Sequence, residues 1–326
     1  MAIFTNTQYV AEEVEVYDNI EPTMESASEI LYEFSSDIYK LIGAVYVSDI
    51  MIEGSVTEGA TDVEALVEAT MNEFVKKVIA KLKELKNKIV TWFKKVIANI
   101  KKFFNKSKDF LKKYKKRIVD NFKRNGLSSS YEGYRYLEFE EIMDLSMRYM
   151  RPLSDIMVKE KIFNTDYSID ELERMYVTAL QKGANDSTIE DHSAFKDSFL
   201  YKIRGNMTEP ETIKVNNVLP YMTEVDMAPS IIDLIEASCD VATTSIDKSI
   251  AFYDIMRGAS DQYITMRTSI INKSITVIEL ISTTAVSTIQ EALGHYFKML
   301  YDIGMMDEET TKESSCSIFE SALGLV

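Results

Sequence analysis

The chain has 326 residues, of which 46% are hydrophobic, with only 11 glycines and 5 prolines. That is enough apolar matter for a sizeable core and too little turn chemistry for a sheet-rich fold, so the composition excludes global disorder and favours long helices with few connections. The net charge of −15 is unevenly placed: residues 1–74 hold 16 acidic and 1 basic residue, residues 75–124 hold 19 basic and 3 acidic, and residues 125–326 hold 17 basic and 33 acidic. Such blocks call either for an electrostatic partner of the basic segment or for its neutralisation by the flanks.

Residues 1–60 read as an acidic arm with one helix. Ser26 and Glu29 have capping-box spacing, and Ile30, Leu31, Phe34, Ile38, Leu41 and Ile42 follow at helical intervals until Gly43. Residues 46–61, with Gly54 and Gly59, read as a linker. Residues 61–126 form the basic amphipathic segment. Thr61 and Glu64 offer a second capping box, and an apolar series from Leu66 to Phe103 advances in steps of three and four, with no Gly or Pro before Gly126. A continuous helix from Val75 to Arg124 would be about 75 Å long. The stripe lapses near Asn105–Lys108, where a break is expected.

Residues 127–227 read as a central region of shorter helices. Gly126–Gly133 is the clearest loop. Helices are expected from Leu137 to Arg151, ending before Pro152, and from Leu153 to Phe163. Ser168 and Glu171 cap a further helix to Gly183, and Ala194–Ile203 forms a short one. Thr208, Pro210 and Glu211 mark another helix start. Residues 228–326 then carry two long apolar series after Pro229, with Gly258 between them and many Ser and Thr on their faces. These predict a long-helix hairpin or bundle. The fold class is all-α.

No constellation has the spacing that catalysis or metal binding needs. The two histidines, His192 and His295, lack a third partner for zinc, although Glu291 sits one helical turn before His295. Cys239 and Cys316 have no adjacent histidine and read as two free thiols in a reducing compartment. Asp166, Ser168, Asp170 and Glu171 lack the glycine and terminal glutamate of an EF-hand and read as helix capping. Phosphate-loop, GxSxG and HExxH patterns are absent from the sequence. No catalytic, cofactor-binding or metal-ligating residue is therefore assigned, and an enzyme is not expected. The stretch Met1–Val10 has no secretory character, and no run reaches 18 uninterrupted apolar residues. Met143, Met147, Met150 and Met157 form a stripe expected in the core.

The candidate interaction residues are Lys76, Lys77, Lys81, Lys94, Lys95, Lys101, Lys102, Lys112, Lys113, Lys116 and Arg117 on one side of the basic segment, with Trp92, Phe93, Phe103 and Phe104 on the other. Three uses fit them. The lysines can neutralise nucleic-acid phosphates without reading bases. The amphipathic face can lie on an anionic membrane surface. The apolar stripe can join the core while the lysines meet solvent or acidic protein. The matching acidity of the flanks favours the last, with the aromatic face buried.

The segment Asp49–Gly54, the linker Val56–Gly59 and the Lys/Phe run from Trp92 to Lys106 together resemble virion structural proteins of large tailed bacteriophages, especially those of low-GC Gram-positive hosts. The likeness covers residues 45–125. It implies a non-enzymatic, many-copy structural component, located in the virion and in the host cytoplasm before assembly, whose partners are itself and other virion proteins. It also implies cleavage of an acidic leader after Glu53 or Glu58. The alternatives are a nucleic-acid-binding packaging accessory and a membrane-surface protein, each acting through residues 75–124.

Overall fold

A computed structural model describes residues 23–56, 63–124, 129–159, 162–205, 209–257 and 264–305. Over these the chain is all-α apart from one two-stranded ladder. Helix α1 spans Thr23–Val56, α2 Val63–Arg124, strand β1 Ser129–Gly133, α3 Phe139–Val158, α4 Ile169–Ala184, α5 His192–Arg204, β2 Glu211–Val215, α6 Leu219–Ile255 and α7 Ile264–Met305.

Helix α7 is the axis of the fold. It is buried on every side for much of its length, and each residue from Ala285 to Gln290 is inside. A helix surrounded in this way must present apolar or small residues all round. Helix α6 runs antiparallel to it: the Ser238 and Ser282 hydroxyls meet at 2.6 Å, and Tyr253 donates to Thr268 at 2.8 Å. Several of the Ser and Thr residues fit because their hydroxyls bond carbonyls of their own helix. Ser249 donates to the Ser245 carbonyl, Ser274 to Ile270 and Thr283 to Glu279. Short, internally satisfied side chains let the two helices approach closely.

The 62-residue helix α2, about 93 Å long, lies against α1, α6 and α7. Its stripe of Val75, Val78, Leu82, Leu85, Ile89, Phe93, Val96 and Ile100 is at most 2% exposed. At about 25 cal/mol per Å² of apolar area, each large side chain of that stripe contributes roughly 1.5–3 kcal/mol. The expected break at Asn105–Lys108 does not occur. Buried Ser107 fills the lapse in the stripe, its hydroxyl donating to the Phe104 carbonyl at 3.2 Å, and Phe110 and Leu111 resume it.

Other expectations are corrected in the same way. Gly43 does not end α1, which continues through the expected linker to Val56. A mid-helix glycine costs about 1 kcal/mol, and buried Ile42 and Val45 on either side outweigh it. Pro152 lies inside α3 rather than beyond its end, carried by Met150, Leu153 and Met157, each 0% exposed. Of the methionine stripe, Met143, Met150 and Met157 are core and Met147 half-buried. Helix α6 begins at Leu219, with Pro220 in its first turn and the Asn217 side chain accepting from the Leu219 amide at 3.1 Å. It passes through exposed Pro229, so the 227/228 division falls within a helix.

Residues 129–133, expected as loop, and Glu211, expected as a helix start, form the antiparallel pair β1–β2, with Tyr131 opposite Ile213. The Ser168–Glu171 box forms as expected: the Glu171 amide donates to Ser168 Oγ at 3.3 Å, and the Ser168 amide donates to Glu171 Oε2 at 2.8 Å. The other two proposed boxes fall outside the described residues and side chains.

Two large polar groups on α7 stand out. Arg267, 2% exposed, donates to the carbonyls of Asn164, Thr165 and Tyr167 at 2.9, 3.0 and 2.6 Å, clamping the α3–α4 loop onto the start of α7. Glu279 is 0% exposed, and neither carboxylate oxygen has a hydrogen-bond partner among the described residues. Burial pushes its pKa up to about 8. The folded state therefore keeps this carboxyl protonated, while the unfolded chain ionises it near the ordinary value of 4.5. Stability is fully present below that value and falls as the pH rises towards 8. Glu279→Gln is expected to raise stability at pH 7 by on the order of 3 kcal/mol and to flatten the decline between about pH 5 and 8. Thermal denaturation across that range tests this; an equally steep decline in both proteins would refute it.

Candidate functional site

Two regions of the surface stand out by charge and shape. The first is the basic helix, whose two halves behave differently. In the first half the lysines meet acidic neighbours. Lys81 pairs with Asp37 of α1 at 2.8 Å and Glu84 at 3.1 Å. Lys86 pairs with Asp247 of α6 at 2.6 Å, and Lys88 with Glu33 of α1 at 3.1 Å. Lys77 pairs with Glu73, and Lys76 points to solvent. The Lys81 hydrogen bond holds Asp37 below its ordinary pKa. These exposed pairs set orientation more than they stabilise.

In the second half eight lysines have no such acidic neighbour among the described residues. Lys94, Lys95, Lys101, Lys102, Lys112 and Lys116 are exposed and have no ion pair among the described residues. Lys108 and Lys115, which the sequence reading did not single out, belong with them. Lys94, Lys101, Lys108 and Lys115 recur every seven residues, about 10.5 Å apart, on one broad face. Lys113 and Arg117 flank this rail, also exposed. Behind it Trp92, Phe93, Phe103 and Phe104 are 4%, 1%, 3% and 6% exposed. Trp92 sits edge-on to Phe93, and Phe103 edge-on to Phe297 of α7. The aromatic half of the expected site is thus core, and the cationic half is surface.

The second region is a cleft of about 760 Å³ between β1, the end of α5 and the C-terminal half of α7. A polar chain crosses its wall. The Tyr136 hydroxyl donates to Glu291 Oε1 at 2.5 Å and lies 3.2 Å from His295 Nδ1. Burial and the adjacent Glu291 raise the Tyr136 pKa far above its ordinary value, so the phenol stays protonated. Its single proton is committed to Glu291, which makes its oxygen the acceptor and puts the His295 proton on Nδ1. Arg204 Nη2 donates to the other Glu291 oxygen, Oε2, at 3.0 Å, and its guanidinium lies 4.5 Å over the Tyr134 ring. Gln290, 3% exposed, also lines the cleft, and both atoms of its amide lack a partner among the described residues.

The Glu291/His295 spacing was the only sequence sign of this cleft. Tyr136, Arg204 and Gln290 come from other elements or carry no motif, so spacing did not reveal them. Elsewhere, His192 is exposed beside Asp191, the N-cap of α5. Cys239 is half-buried, and burial with Glu279 nearby pushes its thiol up to about 12, so it stays protonated. Cys316 lies outside the described residues. Among the described residues no group of three His, Cys, Asp or Glu is placed to hold a metal, and no helix is long and apolar enough to cross a membrane.

The close fit of β1 on α7 depends on Gly133. A Cβ there would stand 2.6 Å from His295 Nδ1 and 2.9 Å from Cε1. Gly133→Ala is expected to displace the imidazole, break its contact with Tyr136 and cost about 1–3 kcal/mol. Thermal unfolding and the His295 ring shifts in NMR check this; unchanged ring shifts would show that the contact is not held by the glycine. Comparison of the chain with protein-family models, curated protein sequences and solved structures finds no match.

Proposed function

We propose that this chain is a non-enzymatic structural component of a bacteriophage virion, acting in assembly through helix–helix and electrostatic contacts with itself and other virion proteins. The observation that carries the reading is the row formed by Lys94, Lys95, Lys101, Lys102, Lys108, Lys112, Lys115 and Lys116, exposed on one long helix and without an ion pair among the described residues. Acidic segments of the same chain neutralise the first half of that helix and leave this half open. An acidic surface on another copy or another protein would complete it. The likeness of residues 45–125 to virion proteins of large tailed phages points the same way. In the implied leader cleavage, Glu53–Gly54 falls in the last turn of α1, while Glu58–Gly59 lies outside the described residues.

The same lysines favour one second reading, a nucleic-acid-binding packaging accessory. A membrane-surface role is less well supported, because Trp92, Phe93, Phe103 and Phe104 would have to leave the core to reach lipid.

Peptide mass spectrometry of purified virions is expected to detect the chain, and its absence from the particle would end the virion reading. Replacing Lys94, Lys101, Lys108 and Lys115 together by Glu is expected to leave the melting temperature nearly unchanged and to reduce incorporation sharply. Binding of the intact chain to duplex DNA, steeply salt-dependent and lost in the fourfold variant, would put the packaging reading in its place.

A further inference from the structure

We infer that the cleft between β1 and α7 receives an extended, neutral or basic peptide segment of a protein partner, added as a strand along the free edge of β1. The inference uses none of the lysine rail and does not depend on the virion reading.

Three consecutive residues of β1, Ser130, Tyr131 and Glu132, border the cleft. Successive strand residues point to opposite faces, so all three can border one cavity only if it runs along the strand edge. The ladder has two strands, and β1 pairs only with β2. Its other edge therefore has backbone donors and acceptors without a strand neighbour among the described residues. Such an edge is a ready template for another chain.

Across the cleft stands Gln290. Its side chain is almost wholly buried, and both its N–H₂ and its carbonyl oxygen are unpartnered. Leaving such an amide unsatisfied is costly, and the group that satisfies it must offer an acceptor and a donor side by side. A peptide bond or a carboxamide side chain does so. Ser287, one turn earlier on α7 and 6% exposed, adds a hydroxyl to the same floor.

Charge selects among ligands with that hydrogen-bonding pattern. A nucleobase edge also pairs a donor with an acceptor, but it arrives with phosphate. The cleft is lined by the carboxylates of Glu132, Glu291 and Asp302 against the cations of Arg204 and Lys298. One excess negative charge, and an Arg204 already engaged by Glu291, disfavour a polyanion. The cleft's volume of about 760 Å³ is room for several peptide residues.

The test is selection of a displayed random dodecapeptide library on the purified full-length chain, followed by binding measurements on the enriched peptides. Peptides of zero or positive net charge are expected, with affinity falling roughly tenfold on Gln290→Leu. That substitution removes a buried unpaired amide, so the variant should melt no lower than the parent. Glu132→Lys, at an exposed side chain, provides the second arm and should weaken binding of the basic peptides. No enrichment over the unselected library overturns the inference. Equal binding by Gln290→Leu also overturns it, as does Gln290-dependent binding of a single-stranded oligonucleotide in place of the peptides.

Discussion

Everything in this fold is arranged around a helix that is enclosed over most of its length. Because α7 is packed by α1, α2, α3 and α6, most of its positions are buried, and a polar group there gains by bonding its own backbone or a neighbouring element. Isoleucine, valine, serine and threonine make up nearly half of the helix, and Thr268, Ser274 and Thr283 bond their own backbone. The few larger polar groups each do something identifiable. Arg267 gathers three carbonyls of the loop between α3 and α4. Glu279 remains uncharged because no water reaches it. Gln290 borders the cleft between β1 and α7. Enclosure explains both the low glycine and proline usage and the abundance of Ser and Thr, since a long straight axis tolerates few breaks and needs slim neighbours.

The charge blocks acquire a meaning that counting alone does not supply. Near-equality of the basic block with the acid on either side suggests full internal neutralisation. The structure divides the basic helix instead. Asp37, Glu33 and Asp247 answer the lysines between Lys81 and Lys88, where α1 and α6 run alongside. From Lys94 on, most of the lysines have no acidic partner among the described residues, and Phe103 and Phe110 pack α2 against Phe297 of α7. Asn121 completes that attachment by donating to the Ile303 carbonyl at 2.9 Å. One helix thus has a neutralised part and an open part, and only packing distinguishes them.

The long periodic elements were legible in the sequence, because a stripe repeated over ten turns outweighs local noise. The Ser168–Glu171 cap was legible too, being a contact within four residues. Punctuation was misread wherever burial overrode it. Gly43 and Pro152 are poor helix residues, but each sits between strongly buried neighbours. Pro229 drew attention from Pro220, which is the true helix start. The β1–β2 ladder could not be read at all: its strands are five residues each, and Tyr131 meets Ile213 across the whole central region. The cleft has the same character, since Tyr136, Arg204 and Gln290 lie on three separate elements and converge only through the fold. Of the expected interaction residues, the aromatics and the lysines were correctly set on opposite faces. Which lysines remain open depended on where other helices end.

The seven-residue spacing of the open lysines has a geometric consequence. An α-helix completes a turn every 3.6 residues, so a row repeating every seven drifts by about 20° per repeat. From Lys94 to Lys115 the row traces a shallow left-handed curve over the rod. A straight partner could follow it for only a step or two. One that follows the whole row must wind around α2 with the same hand, as helices do in a left-handed supercoil. Any partner that followed the whole row would have to match its path as well as its charge.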